Sequence, residues 1–318
     1  MKALAALLTA VFLAIPGAAM GDGYPLPVQD VGPDGIADEA GDFRYVTRDD
    51  GRDTLLMRIE QDGGKVAGSY RLDGLYTIPV VGLDGSVAGL SADGGTLVLI
   101  SPRPGFPRET TEFQVFDTEN IRHPRSIELD GDFSFDALSP DGRTMYLINY
   151  TSRRDPTEYD VRAFDLASQR LVGGPIVDPD EAGDEMYGWA LSRVTSADGR
   201  WAYTLYYGRE HPFVHALDTV EGEAACIDLD EVTARDMYVL GLESDAGPTL
   251  TVTKRDEPVA TIDAETHEVG ASVAPDPVAE PDQGTSSPTV ASLAIATGVA
   301  LLLVAVAMAW RRRGRPLA

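Results

Sequence analysis

The chain has 318 residues, enough to bury a full apolar core, and its 43% hydrophobic and 8% aromatic content excludes disorder as a whole. Acidic residues number 51 against 26 Lys and Arg, for a net charge of −25. The stretch from Asp22 to Trp310 holds all 51 acids and only 21 bases, which excludes nucleic acid and anionic lipid surfaces as its partners.

Met1-Lys2, the apolar run Ala3 to Ile15 and the small residues Pro16 to Gly21 have the three zones of a secretory signal, here residues 1–21. The segment 22–42 follows. Its Asp30, Asp34-Gly35 and Asp38-Glu39 echo a calcium loop, with Gly32 in place of the third ligand.

From residue 43 the chain repeats. Ser91-Ala92-Asp93-Gly94, Ser139-Pro140-Asp141-Gly142 and Ser196-Ala197-Asp198-Gly199 each suit a tight turn between antiparallel strands, with a glycine free to take positive φ. Arg48-Asp49-Asp50-Gly51 and Ser244-Asp245-Ala246-Gly247 extend the series, so repeats start at 48, 91, 139, 196 and 244, the spacing of four-stranded propeller blades. A β-rich run follows each turn, such as Thr96 to Ile100 and Trp201 to Leu205. A third strand ends in Asp117, Asp165, Asp218 or Asp263, where the carboxylate can open the next turn, and a fourth strand completes each unit. The expected fold is therefore all-β, a propeller of about five four-stranded blades over residues 43–272, either a small closed ring or a curved open array. A β-sandwich is the alternative.

Residues 273–288, with Pro275, Pro277, Pro281 and Pro288, read as a stalk of up to about 50 Å at about 3.1 Å per residue. Thr289 to Trp310 has no charge over a length that spans a bilayer as a transmembrane helix, and Arg311, Arg312, Arg313 and Arg315 follow at once. The positive-inside rule keeps the tail 311–318 in the cytoplasm, so the expectation is a single-pass type I protein of the cell membrane with an extracellular acidic domain.

Leu138-Ser139-Pro140-Asp141-Gly142-Arg143-Thr144-Met145-Tyr146, running on to Val161-Arg162-Ala163-Phe164-Asp165, resembles the YVTN-type and TolB-like β-propeller repeats. The resemblance spans about 230 residues. It implies the architecture and leaves the activity open, because propellers host binding, scaffolding and several chemistries.

Few residues suggest chemistry. Cys226 is the one cysteine, so no internal disulfide forms. His211 and His215 sit in a stretch that reads as strand, where residues four apart lie about 13 Å from each other and cannot share an ion. Two acidic clusters, around Asp178, Asp180 and Asp184 and around Asp228 and Asp230, fall in loops between blades and are candidate Ca²⁺ ligands at the mouth of a central channel. Loops between second and third strands carry Arg103, Arg108, Arg153, Arg154 and Arg209. With Tyr206, Tyr207 and Phe213 they form a candidate face for an extracytoplasmic protein or small ligand, since Arg and aromatic residues dominate interface hot spots. The favoured function is a membrane-anchored binding or scaffold module. The alternative is a metal-dependent, lactonase-like propeller hydrolase, although the chain has only four His and two Asn to build its centre.

Overall fold

A computed structural model describes residues 35–181, 186–233, 237–244 and 247–271. The predicted signal, stalk, span and tail lie outside the described residues, as do Asp30, Asp34 and Asp184. Among the described residues no helix is long and apolar enough to cross a membrane.

The fold is all-β, five antiparallel sheets laid down in chain order. The first holds β1 (Ile36–Ala37), β2 (Phe43–Asp49), β3 (Thr54–Glu60) and β4 (Val66–Leu72), and the second β5 (Thr96–Ile100), β6 (Thr110–Asp117) and β7 (Arg125–Asp130). The third holds β8 (Phe133–Leu138), β9 (Thr144–Tyr150), β10 (Glu158–Asp165) and β11 (Arg170–Ile176), with the short β12 (Met186–Tyr187) added against β10. The fourth is β13 (Trp189–Thr195), β14 (Trp201–Tyr207), β15 (Pro212–Asp218) and β16 (Glu223–Asp228). The fifth is β17 (Leu240–Ser244), β18 (Thr249–Lys254), β19 (Glu257–Asp263) and β20 (Val269–Ala271). Each sheet is a meander of sequential neighbours, the order of a propeller blade and not of a two-sheet sandwich. In the second sheet the expected first strand, Ser86 to Leu90, is present only as isolated bridges, Val80 to Val87 and Leu90 to Leu97.

The Ser-x-Asp-Gly turns share one geometry. The Ser139 hydroxyl accepts from the Thr144 N–H at 2.9 Å, Ser91 from Thr96 at 2.9 Å, and Ser196 from Trp201 at 2.8 Å, while each turn glycine donates back to the serine carbonyl. The first repeat corrects the sequence reading. Asp38 Oδ2 accepts from the Phe43 N–H at 3.0 Å and the Gly41 N–H donates to the Asp38 carbonyl at 3.1 Å, so the turn is Asp38-Glu39-Ala40-Gly41 with aspartate in the serine role. Arg48 to Gly51 instead joins the second and third strands of that sheet.

These turns converge. The Asp93 N–H donates to the Pro140 carbonyl at 3.0 Å, and a Cβ on Gly199 would lie 2.4 Å from that of Ala92. Gly199 at φ +71° is thus fixed by backbone and by space. At the opposite end, the segment leading into the second sheet forms a hairpin in which the Val81 N–H donates to Ser86. The hairpin tip bonds to the inner strand of the fourth sheet, through Leu83 N–H to the Ala190 carbonyl at 3.1 Å and Asp84 N–H to the Leu191 carbonyl at 3.0 Å. A side chain at Gly82 would press on the Leu191 carbonyl at 3.1 Å. The hairpin before the second sheet is therefore bonded directly to the inner strand of the fourth.

Four apolar clusters join successive sheets: Leu56 with Leu97 and Phe116, Val98 with Phe135 and Phe164, Tyr146 and Val161 with Tyr206, and Leu205 with Leu242 and Val252. Each fully buried Leu or Phe adds about 1.5–3 kcal/mol by leaving water. Among the described residues no such cluster joins the fifth sheet to the first. Inner strand β8 is buried along its whole length, Ser134 and Asp136 included, so its polar side chains must find partners inside the protein.

Candidate functional site

A cleft of about 570 Å³ lies at the end of the fourth sheet away from the converging turns. Its floor is a cross-strand patch of β15 and β16, in which Phe213 pairs with Asp228 and His215 with Cys226. Phe213, Cys226 and Asp228 line the cleft. Directly paired residues share a sheet face, so His215 is the fourth corner of the same patch, 2% exposed. The connection from third to fourth sheet forms one wall, with Asp178, Glu181 and Tyr187, and the loop between β14 and β15 the other, with Arg209 and His211.

Each wall is held in place. Asp178 Oδ2 accepts from the Cys226 N–H at 2.7 Å and Oδ1 from the Asp180 N–H at 2.8 Å, which ties the connection to the outer edge of the fourth sheet. This bond also covers an otherwise open strand edge. The Tyr187 hydroxyl donates to Asp155 at 2.5 Å, and the Arg209 guanidinium stands 3.4 Å from the centre of the Tyr187 ring, with Glu158 at 4.0 Å. That stacked cation clasps the β14–β15 loop to the third sheet. His211 sits between two carboxylates, Nε2 at 2.9 Å from Asp228 and Nδ1 at 3.4 Å from Asp230.

The local electrostatics follow from these contacts. The hydrogen bond to Asp228 raises the His211 pKa, while burial pushes that of His215, four residues on, down to about 4. Burial, then Glu181 and Asp178, drives the Cys226 thiol far above its ordinary range, so it stays protonated and is a poor nucleophile.

The candidate residues separate by location. Asp178 and Asp228 meet at this cleft, at the outer strand of the fourth sheet, and so form no inner ring around an open channel. Asp180 is exposed beside Asp178, and Asp230 is exposed against His211. Asp184 lies outside the described residues. Among the described residues no three His, Cys, Asp or Glu side chains are grouped to hold a metal ion.

Of the arginines, Arg209 is at the cleft, while Arg153, paired with Glu109 at 2.8 Å, and Arg154 are exposed. Arg103 and Arg108 are not surface residues, a correction to the expected binding face. Arg103 reaches Asp132 Oδ1 through Nε at 2.9 Å and Nη2 at 2.6 Å, and stands 4.5 Å from the Tyr150 ring. The Arg108 N–H donates to Asp132 Oδ2 at 3.0 Å, Nη1 to the Ser101 carbonyl at 3.0 Å and Nη2 to the Phe133 carbonyl. Burial and the neighbouring Arg103 lower the Arg108 pKa to about 10. Tyr206 is buried too, stacked on Phe213 with ring centres 5.2 Å apart, and Tyr207 is half-buried. Of the three aromatics only Phe213 lines the cleft.

Tyr187 was not singled out by sequence as a site residue, Glu181 entered only as part of an acidic run, and His211 only as half of a histidine pair that a strand cannot bring to one ion. They come from separate segments, and their only local sign is an acidic run and an Arg-Glu-His loop beside a strand.

No protein-family model and no curated protein matches the chain. Solved structures of similar fold include a putative TolB from Agrobacterium tumefaciens, at 16% identity over 74% of this chain and 78% of that one, TM-score 0.43. The β-propeller domain of Cps50 (Swd1) from Myceliophteria thermophila matches at 13% over 76% and 68%, TM-score 0.45. Prolyl oligopeptidase B from Galerina marginata matches at 13% over 74% of this chain and 33% of its own, TM-score 0.47. These likenesses concern the fold alone, and the propeller architecture rests here on the sheet order and the converging turns.

Proposed function

We propose that the chain is a membrane-anchored, extracytoplasmic propeller of YVTN-type or TolB-like repeats that binds a protein or small ligand at the fourth-sheet cleft. The carrying observation is the cleft itself. It has the volume of an ordinary ligand site, about 300–1,000 Å³, and walls pinned by Asp178, Tyr187 and Arg209 through contacts within the chain. A preformed site of this kind spends little on ordering when it binds. The anchor in this reading is the charge-free run 289–310 with its arginine cluster. The metal-dependent hydrolase alternative gains no support from the cleft, since among the described residues no three His, Cys, Asp or Glu side chains are grouped to hold a metal ion.

The test is a photoreactive phenylalanine analogue at position 187 or at Val172, an exposed position on β11, in the full chain in its own cells. The expected result is a discrete adduct at position 187, absent at position 172 and abolished by Glu181→Lys. Equal adducts at both positions, or one indifferent to Glu181→Lys, would overturn the reading.

A further inference from the structure

The turn after each third strand is repeated, and one copy differs. In the third, fourth and fifth sheets the aspartate that ends this strand caps the turn beyond it: Asp165 Oδ1 accepts from the Ser168 N–H, Asp218 Oδ1 from Val220 and Glu221, and Asp263 Oδ1 from Glu265 and Thr266. Four residues after each aspartate, Gln169, Gly222 and His267 take positive φ, +55°, +72° and +60°. That region suits glycine best, so a side chain at this place is held against a small backbone cost.

The joint beneath the turn is repeated as well. The Tyr146 hydroxyl of the third sheet donates to the Thr219 carbonyl in the turn of the fourth, and the Tyr203 hydroxyl of the fourth sheet donates to the Ala264 carbonyl in the turn of the fifth, both at 2.9 Å. Where the first joint has Gly222, the second has an imidazole. The His267 ring stands edge-on to Trp201, with centres 5.1 Å apart, and to Tyr203 at 6.2 Å. Its Nε2 is buried and has no hydrogen-bond partner. A neutral ring can leave that nitrogen as a lone pair among aromatic carbons, whereas an imidazolium must place an N–H and a charge there.

The surrounding charges pull the other way and lose. Asp263 on the same turn and Asp178 on the connection into the fourth sheet favour a charged ring, but burial outweighs them and lowers the His267 pKa from its ordinary 6.5. Glu265 and Glu268, its other charged neighbours on the turn, are exposed. From the fourth sheet the ring meets Trp201 and Tyr203, with the Arg200 guanidinium 5.8 Å from the Trp201 ring. Because the folded value lies below the unfolded one, the contribution of this ring is complete above about pH 6.5 and is lost as pH falls through the folded value.

We propose that His267 is an acid-released wedge at the joint between the fourth and fifth sheets: as a neutral ring it docks the β19–β20 turn on Trp201 and Tyr203, and once protonated it swings out and frees that turn. β20 pairs only with β19, through three residues, so it depends on the turn for its place. The device is independent of the cleft and of what the cleft binds.

The experiment is hydrogen exchange on the intact full chain in detergent at pH 5 and pH 7, each rate divided by the intrinsic rate at that pH. The His267 N–H, bonded to the Asp263 carbonyl, and the Ala264 N–H, bonded to that of Pro248, report on the turn; the Gly222 N–H, bonded to the Asp218 carbonyl, reports on its counterpart. Opening at the first two should rise at pH 5 by at least about threefold and at most about thirtyfold, the upper figure being the ratio of charged to neutral imidazole in a free histidine at that pH, while Gly222 stays unchanged. In parallel, emission from Trp201, half-buried at this joint, should move to longer wavelength as it loses its cover, and Trp201→Phe should remove that shift. His267→Phe, whose ring takes no charge, should abolish both responses, and His267→Lys should leave the turn open at both pH values. A pH response that persists in His267→Phe, an equal response at Gly222, or no rise in opening at the turn would overturn the proposal.

Discussion

Two clusters of arginine and carboxylate occupy the loop end of this molecule, and they differ in kind. At the Arg103–Asp132–Arg108 knot, side-chain exposure is 1%, 3% and 6%, and Asp132 serves both guanidinium groups. At the cleft, Asp228 and Arg209 are 52% and 63% exposed, Asp228 against His211 and Arg209 against Tyr187. The residue types are alike; burial makes the first cluster structural, while exposure leaves the second free to exchange partners, as the proposed binding role requires. The principle is general: a desolvated charge cannot give up its partner, while an exposed one exchanges it for water or for a ligand at little cost.

The largest expected effect breaks the buried cluster. Asp132→Ala leaves two guanidinium groups in the core with their shared carboxylate removed and should lower unfolding free energy by about 3–5 kcal/mol, read from chemical denaturation. Its counterpart, Asp228→Ala, should leave the denaturation midpoint nearly unchanged.

The next effect sharpens the comparison through pH. His215 titrates near 4 when folded and near 6.5 when unfolded, so the unfolded chain binds the extra proton in that window. The His215 contribution is therefore complete above about pH 6.5 and is lost as pH falls towards 4, by about 3 kcal/mol in all. His211, whose folded pKa is raised, works in the opposite sense: its contribution is present at low pH and lost as pH rises through its folded pKa. Melting curves from pH 4 to 7 should flatten in His215→Phe and keep their slope in His211→Asn.

A smaller loss, about 1–3 kcal/mol, is expected for Gly199→Ala, where positive φ and contact with Ala92 both oppose a side chain. Gly63→Ala, also at positive φ but with open space around it, should cost less, and the difference in melting midpoint measures the convergence of the turns. The smallest effect, under about 0.5 kcal/mol, belongs to Arg153→Ala, because its pair with Glu109 is exposed on both sides.

Most strands and three of the turns were legible because each carries its own signal: a serine that bonds five residues on, an Asp-Gly pair and a β-branched run. The first repeat was misplaced because Asp38 substitutes for serine, while Arg48-Asp49-Asp50-Gly51 imitates the motif at a different junction. Arg103 and Arg108 looked like surface residues beside prolines and Glu109. Their partner Asp132 lies more than twenty residues away, at the entry to the next sheet, and no local pattern announces that pairing. The contact between this hairpin and the fourth sheet was equally hidden, since nothing in Val80 to Val87 announces a bond to Ala190 and Leu191. Asp178 and Asp228 were picked out as acidic; their meeting with His211, Tyr187 and Cys226 needed the fold.

The central claim is that the cleft binds and the surface arginines elsewhere do not. The most direct measurement compares recovery of the position-187 adduct from cells expressing the full chain with Asp228→Lys or with Glu109→Lys, the latter at the exposed pair with Arg153. The account predicts that Asp228→Lys abolishes the adduct at an unchanged melting midpoint, while Glu109→Lys leaves it intact. Retention of the adduct in Asp228→Lys, or its loss in Glu109→Lys alone, would contradict it.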